Sequence, residues 1–166
     1  MAKATKGKNY EVIVPPSKLA DRVSKGGPDP AEAISRADHT VQEMKKDYKT
    51  WLREDIERLM NALGALRGSS GAEDRTAKAE SLFRASFDIK GQAGTFGFTI
   101  LSRVAKSLCK LLEEKPSIET DDFGVIVAHV DAMRASAIEQ TDGTPSRISL
   151  EVVAALEGIV AKRLQR

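Results

Sequence analysis

Side chains able to carry a phosphoryl group, a metal or a nucleophilic step are few in this chain. There are two histidines, His39 and His129, and one cysteine, Cys109. Neither histidine has a cysteine partner at zinc-ligand spacing, so no metal and no cofactor are expected. No Ser–His–Asp order, phosphate-binding glycine loop or metal motif emerges, and the carboxylates are many and scattered. His129, in Ile126-Val-Ala-His-Val-Asp-Ala-Met133, reads as a structural or half-exposed histidine. His39, beside Thr40 and Gln42–Glu43, reads as a solvated one. Cys109, between Leu108 and Leu111–Leu112, reads as a packed core thiol. Trp51 reads as core rather than as a ligand platform.

The informative stretch is Leu82-Phe-Arg-Ala-Ser-Phe-Asp-Ile-Lys-Gly-Gln-Ala-Gly-Thr-Phe-Gly97. Leu82, Ala85, Ile89, Ala93 and Phe96 share one side of a helix and form its core stripe. At about 100° per residue, Phe87, Gly91, Gly94 and Phe98 fall on nearly the opposite side, flanked by Glu80 and Arg84. A large aromatic is thus aimed at solvent beside two glycines. Each glycine inside a helix costs about 1 kcal/mol relative to alanine, so two on one outward face need a reason. They keep the surface low for another molecule, or they let a neighbouring helix pack closely. An aromatic beside a shallow small-residue patch has the make-up of a docking surface.

The same stretch resembles the histidine-phosphotransfer (HPt) family. That family's signature is a phospho-accepting His, then Lys three residues on, Gly four on and Gly ten on. Here Lys90, Gly91 and Gly97 hold the last three positions, and the His position holds Phe87. Ala93 and Gly94 fit as small residues, and the Leu-rich helix through Leu101, Leu108, Leu111 and Glu113 follows as in the family. The resemblance covers roughly residues 40–140, and the layout with its Lys-rich arm is similar to stand-alone members. It implies a bundle in which an imidazole attacks the aspartyl phosphate of a response-regulator receiver domain. A benzyl side chain has no lone pair and cannot accept phosphate, so the transfer activity is not carried over. Lys90 matches the residue that would steady the phosphoryl charge; here it becomes a surface cation or a partner for the receiver's acidic pocket. The resulting expectation is a non-enzymatic adaptor that binds a receiver domain or a histidine kinase through Glu80, Arg84, Phe87, Lys90, Gly91, Gly94 and Phe98. One alternative is an active phosphotransfer protein using His129, which has Ala132 and Met133 where the signature needs Lys and Gly. The other is a helical scaffold unrelated to signalling.

The elements that would position this face are helical. Asp29 and Pro30 form a helix-start signal after the Gly26–Pro28 linker. From Ala31 to Arg67, Ile34, Ala37, Val41, Met44, Tyr48 and Trp51 step by three and four, and Leu52, Ile56, Leu59, Leu63 and Leu66 continue after a small rotation. The spacing predicts either one helix of about 50 Å or two with a bend near Asp38. Gly68-Ser-Ser-Gly71 connects to a helix over about 73–94, and a turn around 95–97 leads to another over about 98–114, stopped by Pro116. A fourth, over about 122–139, is capped by Thr120 or Asp121. After the breaker cluster Thr141–Pro145, Ser149 caps a last helix with Leu150, Val153, Leu156 and Val160 on one stripe. The expected fold is all-α: an antiparallel four-helix bundle of HPt type, with an irregular N-terminal arm and an extra C-terminal helix. The arm spans 1–30, with an extended piece over Tyr10–Val14 ended by Pro15-Pro16. The bundle spans 31–140, and the C-terminal linker and helix 141–166.

Composition agrees and narrows the partners. With 166 residues, 41% hydrophobic, 30% charged and only 5% aromatic, the chain suits one helical domain with a Leu, Ile, Val and Ala core. Residues 1–30 carry six Lys/Arg against three Asp/Glu, whereas residues 31–166 carry twenty against twenty-one. The domain therefore lacks a basic stripe, and no nucleic-acid partner is expected. No run of apolar residues spans a membrane and no secretory signal opens the chain. With its lone cysteine, that points to the cytoplasm. Either a monomer or a weak homodimer is compatible with the final helix.

Overall fold

A computed structural model describes residues 3–6, 11–14, 27, 29–115, 117–139 and 145–165. The chain divides into two units, Met1–Val41 and Gln42–Arg166. In the first, strands β1 (Lys3–Lys6) and β2 (Glu11–Val14) pair antiparallel, Lys3 opposite Val14 and Lys6 opposite Glu11. The β-branched run Val12-Ile-Val14 favours a strand. Its partner Lys3-Ala-Thr-Lys6 has no apolar alternation to reveal it, so the arm expected to be irregular carries a hairpin. Tyr10, Pro15, Pro16, Gly26, Pro28, Pro116 and Thr141–Thr144 lie outside the described residues.

Helix α1 (Pro30–Arg67) is one continuous helix, not two. Its start follows from Asp29, whose side chain accepts the Ala31 N–H at 3.3 Å and whose carbonyl accepts the Ala33 N–H at 2.9 Å. Ile34 and Val41 are exposed.

The second unit holds the rest of α1, then α2 (Ala72–Thr95), α3 (Thr99–Glu114), a 3₁₀ turn (Thr120–Asp122), α4 (Phe123–Glu139) and α5 (Arg147–Arg163). It is the expected all-α bundle with an additional C-terminal helix. Helix α3 packs against α2, α4 and α5, and so carries the densest core face, with Ile100, Leu101, Val104, Ala105, Leu108 and Leu111 all buried. Leu52, Leu59 and Leu66 of α1, Leu82 and Ile89 of α2, Ile126 and Met133 of α4, and Val153 and Val160 of α5 join the same cluster.

In α1 the buried face of this unit begins at Tyr48 and steps through Leu52, Ile56, Leu59, Leu63 and Leu66. Trp51, expected in the core, is 43% exposed. It stands one residue before Leu52, about 100° round the helix, and falls outside that arc. Met44 is exposed too. The Tyr48 ring stacks on Phe96 at 4.5 Å and meets Phe98 edge-on at 5.1 Å.

Two caps differ from expectation. The turn before α4 is capped by Glu119 in a capping box with Asp122, and α5 by Ser146, whose hydroxyl oxygen accepts the Ser149 N–H at 3.1 Å. Starting the helix at Arg147 leaves Leu150 exposed while Val153, Leu156 and Val160 stay buried. Asp122, fully buried, gathers Lys115 Nζ at 2.7 and 2.6 Å, Arg163 Nη1 at 3.5 Å and the Glu119 N–H at 2.9 Å. Arg163 also donates to the Asp121 carbonyl at 3.0 Å, and Arg103 grips Glu157 with two hydrogen bonds of 3.1 and 2.7 Å. These contacts fasten α5 to α3 and to the turn that opens α4.

Candidate partner-docking site

Helix α2 positions the outward face. Leu82, Ile89 and Ala93 are fully buried, with Ala85 and Phe96 packed beside them. That fixes the helix's rotation, and Phe87 must point away from the core. Its ring is 49% exposed. Two neighbours hold it. Phe83, one turn earlier and half-buried, lies tilted against it at 5.8 Å between centroids. Lys90 Nζ sits 3.8 Å from the ring centroid. A cation over an aromatic face at a partly exposed site contributes on the order of 0.5–1 kcal/mol. Sequence reasoning placed Lys90 on this helix but missed the contact and missed Phe83. The i, i+3 and i, i+4 spacings from Phe87 are the signals that could have found both.

Glu80 and Arg84 form an exposed i, i+4 ion pair at the edge of the face. Gly91 is open: a Cβ there would meet nothing within 4 Å. Gly94 is different, since its Cβ would stand 3.3 Å from Ser102 Oγ on α3. That hydroxyl donates to the Lys90 carbonyl at 2.9 Å and needs the close approach. So one glycine leaves open surface and the other admits a neighbouring helix, and the two explanations offered by the sequence divide between them.

Phe98 does not belong to this face; it is 3% exposed. The 100° projection carried the α2 repeat across the turn expected around 95–97, where it no longer applies. The helix ends at Thr95, and Gly97 adopts φ +81°, in the left-handed region that suits glycine. The chain then turns back, and Phe98 becomes the N-cap of α3 with its ring against Tyr48.

The remaining reactive candidates lie elsewhere. Ser86 is buried and donates to the Leu82 carbonyl at 2.8 Å. His129 is fully buried. Its Nδ1 is 2.8 Å from the Val125 carbonyl, which can only accept, so Nδ1 carries the proton. Nε2, 3.0 Å from Ser107 Oγ, then accepts from that hydroxyl. Burial lowers the pKa of His129, against a smaller opposite effect of the Val125 hydrogen bond. Both nitrogens are occupied and the ring has no exposed surface, so a phosphoryl donor has no access. His39 is exposed on α1. Cys109 is buried, and burial pushes its thiol up to about 11, with the Lys90 charge opposing in part. Among the described residues no group of three or more His, Cys, Asp or Glu could hold a metal, and no helix is long and apolar enough to cross a membrane.

The face therefore carries no histidine. It has an aromatic ring propped outward by Phe83, a cation lying on it, an open glycine beside it and an ion pair at its rim. Residues 43–140 match the family model described as Hpt domain. A search of curated proteins gives no match.

Proposed function

The chain belongs to the Hpt domain family, whose members are phosphotransfer carriers of two-component signalling, and from that premise we propose that it is an adaptor of such a system that docks without accepting phosphate. The docking face is Glu80, Phe83, Arg84, Phe87, Lys90, Gly91 and Gly94 of α2, and the partner is a receiver domain or a histidine kinase. The observation that carries this reading is the Phe87 ring, held half-exposed under Lys90 in the place where the motif spacing puts the acceptor. A partner surface that fits the family's face meets an apolar ring there. Completing the burial of a Phe side chain contributes about 1.5–3 kcal/mol at most, and half of it is available here. That converts to roughly three- to tenfold in affinity.

The test pairs binding with transfer. The chain is titrated into a panel of receiver and kinase domains by calorimetry, and then incubated with the phosphorylated form of any that binds. The expected result is binding weakened about threefold or more by Phe87→Ala and further by Gly91→Leu, with no acid-labile phosphate on the chain. Phosphate on the unaltered chain, lost in His129→Ala, would overturn the adaptor reading. So would affinity unchanged in both face variants.

A further inference from the structure

A second surface, distinct from the Phe87 face, lies between α1 and α4 of the second unit. Lys49, Leu52, Arg53, Ile56 and Glu57 of α1 and Arg134, Ala137 and Ile138 of α4 line a groove of about 440 Å³. Its α1 wall follows the i, i+3, i+4, i+7, i+8 pattern and is about 12 Å long, two helical turns. Leu52 and Ile56 form its floor, while Ile138 stands at 76% exposure, the most exposed large apolar side chain among the described residues.

The rim is cationic on both walls. Lys49 and Arg53, four residues apart, face the same way, and like charges at this spacing destabilise a helix. Among the described residues neither carries an ion pair, in contrast to Arg36, Lys46 and Arg58 of the same helix. Across the groove Arg134 has, among the described residues, a single ion pair, a long and exposed one with Asp131 at 3.7 Å. Glu57 is the one carboxylate of the lining.

From this arrangement we propose that the groove docks an acidic amphipathic helix of a partner protein. The partner's apolar stripe would lie on Leu52, Ile56, Ala137 and Ile138, and its flanking carboxylates would meet Lys49 and Arg53 on one side and Arg134 on the other. Helix-in-groove recognition uses this combination of an apolar floor and charged walls. A single anionic headgroup fits less well. The cations are distributed along one wall and across to the other, so they match a ligand with several spaced carboxylates on both flanks of an apolar stripe.

The probe is a synthetic helix of about 18 residues, long enough to overrun the two-turn wall at both ends. It carries leucines at i, i+3, i+4 and i+7 and glutamates on both flanks, and is titrated into the full chain by fluorescence anisotropy. The expected result is binding that weakens with salt, falls about tenfold or more in Lys49→Glu/Arg53→Glu, falls several-fold in Ile138→Ser, and is unchanged in Phe87→Ala. All of these positions are exposed, so the variants keep the fold, and their melting curves verify it. Affinity unchanged by the double charge reversal would overturn the proposal. Binding of dodecyl phosphate but not of the peptide would also overturn it, as would self-association of the chain through the groove in sedimentation. Loss of peptide binding in Phe87→Ala would reassign the peptide to the α2 face and sink the second surface alone.

Discussion

At the scale of single residues, His129 shows how a reactive side chain becomes a structural one. Its environment favours the neutral ring, with both nitrogens committed. Burial holds its pKa below the ordinary 6.5, so the unfolded chain binds a proton more readily than the folded chain. The stability that the neutral ring contributes is complete above about pH 6.5 and is lost as pH falls toward the folded value, by up to about 1.4 kcal/mol per pH unit. Urea denaturation at about pH 7 and about pH 5, on either side of that ordinary value, should therefore show a pH-dependent loss that His129→Gln lacks. An identical pH slope in the two proteins would show that His129 is not held neutral. Phe87 is the opposite case. No packing requirement places an aromatic there, and Phe87→Ala should leave the melting temperature within a degree or two, since surface changes are usually within about 0.5 kcal/mol and the ring contacts add little more.

At the scale of elements, α2 is an instrument for aiming one face. Gly91→Ala adds a methyl in open space and removes a glycine from a helix interior, so it should stabilise the protein by roughly 0.5–1 kcal/mol. Gly94→Ala gains the same helix propensity but sets its methyl against Ser102 Oγ, and it should gain less or lose. Denaturation midpoints of the two variants compare them directly, and equal gains would mean that α3 gives way freely. The periodicity of α2 made its core stripe and the outward direction of Phe87 legible in the sequence. It failed at Phe98 because a 3.6-residue repeat holds only within one helix, and Phe98 stands beyond the turn around 95–97 that was legible from Gly94 and Gly97. It failed at Trp51 for a related reason. Two apolar stripes overlap on α1, and which of them faces the core is decided by the helices opposite. Ser146 rather than Ser149 caps α5 because two serines three residues apart satisfy the same local rule. The Lys90–Phe87 contact needed side-chain positions that spacing suggests but does not fix. Strand β1 had no signal of its own, since its register exists only through β2.

At the scale of the molecule, α5 is part of the closure of the second unit. Asp122 links three pieces of chain through Lys115, Arg163 and the Glu119 backbone, and it is fully buried while Lys115 and Arg163 are mostly so. Removing one charge of such a set leaves the others uncompensated and costs about 3–5 kcal/mol. Asp122→Asn should lower stability by about 3 kcal/mol and loosen α5 first, visible as faster amide exchange at Val153, Leu156 and Val160 than in α3. Uniform exchange along α5 and α3 would show that the two unfold together. The lone thiol of the chain offers a different kind of readout. Cys109 sits on α3 with 4% of its surface accessible. A thiol reagent can reach it only when the fold opens, so the labelling rate is a stopwatch on that opening. Any ligand that binds the folded α2 face would make the stopwatch run slow, whatever its chemistry and with no dye or tag attached to it.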